Sequence, residues 1–273
     1  MSNTSYLNAT GPVRFNLTND YMFRAVLQEN NYVLKGLICS LLHLKPDDVI
    51  SVEITNPIEL GDAAADGKEF ILDINVSLNN HTLINLEMQM TYRADWRERS
   101  LSYLCRSFDH LKHGAEYGEV KPTIHIGFLN FSLDNDTQPE FYASYRLLNE
   151  KTHASYSDKF VLRVVNLNQI DLATEEDKAN HLDYWARLFT AVTWEEIIMI
   201  TKNDSVLSSA SQSLYELNAD EITRQKCLAR EDYNKTEQAL QKFSAENKAL
   251  KQELAKKDSI IKALQEELDQ THK

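Results

Sequence analysis

EFILDINVSLNNHTLINLEMQMTY, residues 69–92, is the stretch on which the fold reading turns. Its first half alternates. Phe70, Leu72, Ile74, Val76 and Leu78 face one way, and Ile71, Asp73, Asn75 and Ser77 face the other. Its second half alternates too, with Ile84, Leu86, Met88 and Met90 opposite Leu83, Asn85, Glu87 and Gln89. A period of two marks a β-strand with one face in a core, and the Asn79-Asn80 pair between the halves is turn chemistry.

The register of this hairpin decides what its polar face can do. With a three-residue loop at 79–81, Leu78 pairs with Thr82 and Asp73 falls opposite Glu87. A two-residue loop would slip the strands by one and send the two carboxylates to opposite faces. The apolar pattern favours the longer loop, because it sets Leu72 against Met88 and Ile74 against Leu86. Opposed residues stand with Cβ atoms roughly 4.5–5.5 Å apart. Two carboxylates that close repel unless a cation joins them or one is protonated. Paired oxygen ligands suit Mg²⁺, which keeps waters for a substrate's phosphate. The plainer alternative is a solvated polar face on an amphipathic sheet.

These residues carry a resemblance. Asp73, with Glu87-Met88-Gln89 on the next strand, resembles the Asp…(Asp/Glu)-x-Lys core of the PD-(D/E)xK nuclease superfamily. A longer string is more specific: Thr18-Asn19-Asp20-Tyr21-Met22-Phe23-Arg24, Asp66-Gly67-Lys68, Ile71-Leu72-Asp73-Ile74, Asn85-Leu86-Glu87-Met88-Gln89, then Arg99-Ser100 and Tyr103. It is similar over residues 15–215 to the recombination-promoting, transposase-like nuclease family of that superfamily. The resemblance implies an α/β fold, with a restriction-endonuclease-like mixed β-sheet flanked by helices. It also implies a Mg²⁺-dependent DNA endonuclease (Mn²⁺ as substitute) in which Asp73 and Glu87 hold the metal. Gln89 would orient the attacking water, and Asp20 and Arg24 would shape the site. Two departures from the broad superfamily stand out: no Pro precedes Asp73, and Gln89 stands where the superfamily usually has Lys, although Gln is familiar there in this particular family. Gln hydrogen-bonds but brings no positive charge to the transition state. Lys68, in the loop before the hairpin, is the candidate to supply it.

The remaining chain is read for organisation. Its 273 residues with 42% apolar content allow one large domain or two small ones. Net charge is −12, all of it in residues 1–219 (18 Lys/Arg against 30 Asp/Glu), since residues 220–273 hold 11 of each. That acidity argues against avid non-specific DNA binding, which depends on Lys and Arg at phosphates. Cys39, Cys105 and Cys227 are scattered and odd in number, as expected of reduced thiols in a cytoplasmic protein. No signal-peptide pattern opens the chain, and no run approaches the ~20 apolar residues of a membrane helix.

Residues 1–15 read as a flexible arm, 16–218 as the nuclease-type domain and 219–273 as a separate C-terminal helix. Thr18 or Asn19 is set to cap a helix that begins with Asp20. A second helix is expected over 32–44, a strand over 49–60, and a helix over 95–117. The last carries Arg97, Arg99 and Arg106 interleaved with Trp96, Tyr103 and Phe108. Arg99, Tyr103 and Arg106 share a face, which with Lys68 and Arg97 suits phosphate contact and base stacking; an ordinary amphipathic helix is the plainer reading. His110 and His113 lack the further ligands that zinc needs. Strands are expected over 121–133, 141–148 and 160–167. Thr174–Asp177 and Thr193–Glu196 resemble capping boxes, starting helices through 188–189 and 197–199, with another helix over 206–217.

From Asp220 onward there is neither Gly nor Pro. Positions 240, 243, 247, 250, 254, 257, 261, 264 and 268 step by three and four and hold Leu, Phe, Asn, Leu, Leu, Lys, Ile, Leu and Leu. This heptad seam, with Asn247 at an a position, predicts a coiled-coil homodimer over 240–268; a surface helix packing back on its own domain is the alternative. Two functions follow: a metal-dependent DNA endonuclease, or a degenerate nuclease fold that binds DNA or a partner and self-associates through its tail.

Overall fold

The computed structural model describes residues 5–56, 73–111, 113–133 and 138–271. Asp66, Lys68 and residues 69–72 lie outside the described residues, as do 57–60 of the strand expected over 49–60.

The hairpin forms with the three-residue loop. β2 (Ile74–Leu78) and β3 (Thr82–Gln89) pair antiparallel, Leu78 against Thr82 and Ile74 against Leu86, so Asp73 comes next in register to Glu87. Asn79 and Asn80 take left-handed backbone angles (φ 51° and 53°), which Asn tolerates better than most residues. The Asn79 carboxamide oxygen accepts the amides of Ile50 and Ser51 at 2.8 and 3.0 Å, tying the turn to the chain entering β1 (Val52–Ile54).

Three further strands complete the sheet: β4 (Thr123–Leu129), β5 (Tyr142–Arg146) and β6 (Phe160–Asn166). The order is β1-β2-β3-β4-β6-β5. β3 and β4 run parallel, as do β4 and β6, while the remaining pairs are antiparallel. A parallel neighbour requires a crossover, and α3 (Trp96–Phe108) supplies it between β3 and β4. β3 is therefore interior to the sheet and covered on both faces. That is why its polar-face residues Asn85 and Glu87 are buried at 5% and 3% exposure.

One face of the sheet carries the main core. Ile74, Val76, Ile84, Leu86 and Phe128 pack there with α1 (Asp20–Glu29), α2 (Asn31–Leu42), α5 (Leu182–Thr190) and α7 (Ser205–Ala219). The other face holds a smaller cluster of Trp96, Leu104, Leu129, Phe131, Leu162 and Val164 under α3. Asn19 caps α1, its side chain accepting the Met22 amide. Both capping boxes form, Thr174 with Asp177 at α4 (Glu175–Ala179) and Thr193 with Glu196 at α6 (Trp194–Thr201).

Some boundaries differ from expectation. The helix started by Thr174 does not reach 188–189. It stops at Ala179, His181 turns left-handed (φ 58°), and α5 starts afresh. α3 ends at Phe108, nine residues short of its expected end, with Gly114 left-handed (φ 86°) beyond it. Residues 5–15, expected as an arm, are held down. Tyr6 is buried with its hydroxyl 3.0 Å from Thr201 Oγ1, and the Val13 amide donates to Val192 O at 2.8 Å.

The chain divides into two compact units at Arg230. α8 (Glu221–Thr271) starts in the first, where Thr223 and Cys227 are buried. The second begins at Glu231 and carries the rest of that helix, to Thr271. Leu240, Phe243, Leu250, Leu254, Ile261 and Leu264 of the predicted seam are all more than half exposed on it. Among the described residues no helix is long and apolar enough to cross a membrane.

Candidate active site

Asp73 sits at the entrance to β2, where two long-range contacts hold its backbone. Arg24, with no exposed surface, donates from Nη1 to Asp73 O at 2.6 Å and from Nη2 to Asn56 O. Asn56 donates to Asp73 O at 2.8 Å and accepts the Asn75 amide at 2.8 Å. A side-chain amide thus continues the strand pairing where β1 has ended. Burying a guanidinium is costly unless its donors are used. This one ties α1 to the start of β2 and sets where the Asp73 carboxylate begins.

Glu87 projects from β3 beneath α3. Arg99 Nε donates to Oε1 at 3.2 Å, while His125 Nε2 lies 3.5 Å from Oε2. That second contact is an ion-pair distance without hydrogen-bond geometry; Glu87 Oε2 and both His125 ring nitrogens are buried without a hydrogen-bond partner. His125 comes from β4, paired in register with Asn85, and it has no exposed surface. The rings of Trp96 and Tyr103 wall it in, each at 6.2 Å between centroids. Asn85 donates to Asn75 Oδ1 at 2.7 Å, leaving its own amide oxygen buried and unmatched.

The site's electrostatics follow from burial and like charge. Desolvation, then the neighbouring Glu87 carboxylate, push the Asp73 carboxyl up to about 6, against the opposing pull of Arg99, His125 and Arg24. The raised value gives a stability signature. An acid held above its unfolded-state value of ~3.9 is penalised in the fold once it ionises. Below pH ~4 both states are protonated and the penalty vanishes. Between ~4 and ~6 stability falls, and above ~6 the penalty is complete. Asp73→Asn is therefore expected to stabilise the metal-free protein at pH 7.5 by about 2 kcal/mol, after allowance for partial exposure, and by no more than about 0.5 kcal/mol at pH 4. Urea unfolding of parent and variant at the two pH values checks this; a gain of equal size at both would refute it.

Of the other residues singled out by sequence, Arg99 and Tyr103 line the site, and the rest make contacts around it. Gln89 Nε2 donates to Thr91 O at 2.8 Å. Asp20 is buried at the start of α1, where its Oδ2 accepts from Arg230 Nε at 2.6 Å and its Oδ1 from the Tyr21 amide. It meets the base of α8, and Arg24, one turn along α1, is the residue that reaches Asp73. On α3, Arg97 is exposed and donates to Leu133 O at 3.2 Å, and Arg106 is exposed. Arg99 and Tyr103 turn inward, the guanidinium 5.0 Å from the ring centroid.

Sequence reading missed Asn56 and His125. Nothing local marks Asn56, and His125 reads as one more residue of an apolar strand. Only the alternation of β4, which places it on the face of Thr123 and Gly127, hints at its partner.

The donor set suits a hard divalent cation: two carboxylates in register, a carboxylate oxygen and a carboxamide oxygen buried without partners, and like-charge repulsion that an ion would relieve. Among the described residues no group of three or more His, Cys, Asp or Glu is arranged to hold an ion unaided. Any ion here would therefore complete its shell with water or substrate. A family model described as PD-(D/E)XK nuclease family transposase matches residues 17–265. No curated protein and no solved structure matches the chain.

Proposed function

Since the chain belongs to the PD-(D/E)XK nuclease family of transposases, we propose that it is a metal-dependent DNA endonuclease that hydrolyses phosphodiester bonds. The observation that carries this reading is the hairpin register, which brings Asp73 beside Glu87 with Glu87 Oε2 unmatched in a buried setting. Asp73 and Glu87 would hold Mg²⁺, or Mn²⁺ in its place. Bound there, the ion would lower the pKa of a ligated water and stabilise charge on the scissile phosphate. Gln89, its amide nitrogen committed to Thr91, would use its amide oxygen to accept a hydrogen bond from that water and orient it. Asp20 supports the site at one remove, by fixing α1 and with it Arg24. Arg97 and Arg106, exposed on α3, and Lys68 are the residues assigned to the DNA backbone.

A second reading is a catalytically weak or inactive nuclease fold that binds DNA or a partner. The net charge of −12 and the uncharged residue at position 89 favour it. Plasmid nicking by the purified protein with Mg²⁺, Mn²⁺ or EDTA separates the two. Metal-dependent nicking is the expected result, and Mn²⁺ binding without cleavage would select the second reading.

The exposed seam of α8 is assigned to a second copy of the chain. Burying each Leu or Ile of such a seam contributes about 1.5–3 kcal/mol, and Asn247 at an a position favours a parallel register. The protein is expected to run at twice its 31.4 kDa chain mass in light scattering. Leu250→Asp with Leu254→Asp is expected to return it to monomer. A monomeric parent would remove the dimer from the account.

A further inference from the structure

The nuclease reading leaves one chemical gap, and this inference rests on that reading. Gln89, two residues along β3 from Glu87, is uncharged, and charge that develops on a scissile phosphate is stabilised by a cation at the site. Among the described residues, two guanidiniums act on the Asp73 carboxyl. Arg24 is fully buried and bonded to the carbonyls of Asp73 and Asn56, so it is fixed scaffold. Arg99 differs in three respects. Its side chain is 32% exposed, where that of Glu87 is 4% exposed, so it covers the carboxylate from the solvent side. Its hold on Glu87 is the 3.2 Å bond from Nε to Oε1. Its guanidinium also rests 5.0 Å from the Tyr103 ring centroid, a platform that owes nothing to Glu87.

We propose that Arg99 supplies the positive charge that position 89 lacks, pairing with Glu87 in the metal-free protein and turning to the scissile phosphate once the carboxylates are bound to a divalent cation. A carboxylate shared with a dication no longer needs the guanidinium, and the two cations repel. The Tyr103 ring keeps the released side chain over the site. A planar guanidinium is well matched to two phosphate oxygens. One residue thus has opposite effects on two observables. It competes with the ion for Glu87, and it assists the reaction after the ion is bound.

That opposition is the test. Full-length parent and Arg99→Gln are titrated with Mn²⁺ alone by electron paramagnetic resonance, and their plasmid nicking is compared at saturating Mn²⁺. Arg99→Gln is expected to bind Mn²⁺ about tenfold more tightly, the size of a charge-assisted bond released. Its nicking is expected to fall about 10²-fold, the scale of losing one donor to a developing oxyanion. Arg99→Met, which keeps an aliphatic stem on Tyr103, serves where the Gln variant fails to fold, and should shift both quantities in the same two directions. If Mn²⁺ affinity is unchanged or weaker while nicking falls, Arg99 only positions Glu87 and the proposal is overturned. If nicking is unaffected, it is equally overturned. A parent that neither binds Mn²⁺ nor nicks DNA brings down the nuclease reading and this inference with it. A parent that does both isolates a failure to Arg99 alone.

Discussion

Glu87→Gln is expected to reduce metal-dependent nicking by about 10³-fold or more, roughly 4 kcal/mol of barrier. The substitution is nearly isosteric, so the loss would report charge rather than shape. Gln can still accept from Arg99 Nε, and its neutral amide relieves the repulsion that raises Asp73. The fold is thus expected to survive, with the thermal midpoint close to that of the parent because these changes oppose each other. Mn²⁺ affinity should fall at least about tenfold, since the site loses one of two anionic ligands. Parallel measurement of nicking, Mn²⁺ binding and thermal unfolding settles the matter. A Glu87→Gln protein that nicks at the parental rate would mean the chemistry lies elsewhere.

Gly127→Ala is expected to be strongly destabilising for a change of one methyl group. Gly127 lies opposite Glu87 in the β3–β4 register, and the Trp96 indole lies over it. A Cβ at 127 would stand 2.4 Å from Trp96 Cζ2 and 3.1 Å from Cη2. Trp96 is 1% exposed, in the cluster with Leu104, Leu129 and Phe131, so the ring has little space to yield. Overpacking of this kind costs about 3 kcal/mol, the upper end of the usual range. In a unit of this size, that lowers the thermal midpoint by about 10 °C. The same clash pushes on the first turn of α3, which carries Arg99, so Mn²⁺ affinity should change as well. Trp96→Phe removes the atoms that clash. Trp96 Nε1 is buried without a partner, so no hydrogen bond is sacrificed. The double variant should recover at least half of the lost stability. Equal losses in Gly127→Ala with and without Trp96→Phe would show that the contact is not the cause.

Both variants bear on what could be read from the chain before folding. The hairpin register was legible because its causes are local: the alternation of apolar residues and the left-handed tolerance of Asn79 and Asn80. The caps at Asn19, Thr174 and Thr193 were legible for the same reason, each being a side chain and an amide within three residues. So was the C-terminal helix, whose sequence offers no Gly or Pro to break it and a repeat sustained over four heptads. Where local signals were ambiguous, the reading overran. The helix started by Thr174 broke at His181, and the one over α3 stopped at Phe108.

Tertiary structure decided the rest. Alternation placed Glu87 on a polar face, but only parallel pairing of β3 with β4 beneath α3 buried that face and set His125 and Gly127 beside the carboxylate. Arg24 reaches Asp73 across 49 positions and Asp20 meets Arg230 across 210, distances over which no periodicity carries information. The acidic pair is written in the sequence. Its environment, the buried Arg24 guanidinium, the unmatched oxygens and the raised Asp73 acid, arises from desolvation and long-range packing that exist only once the sheet has closed over it.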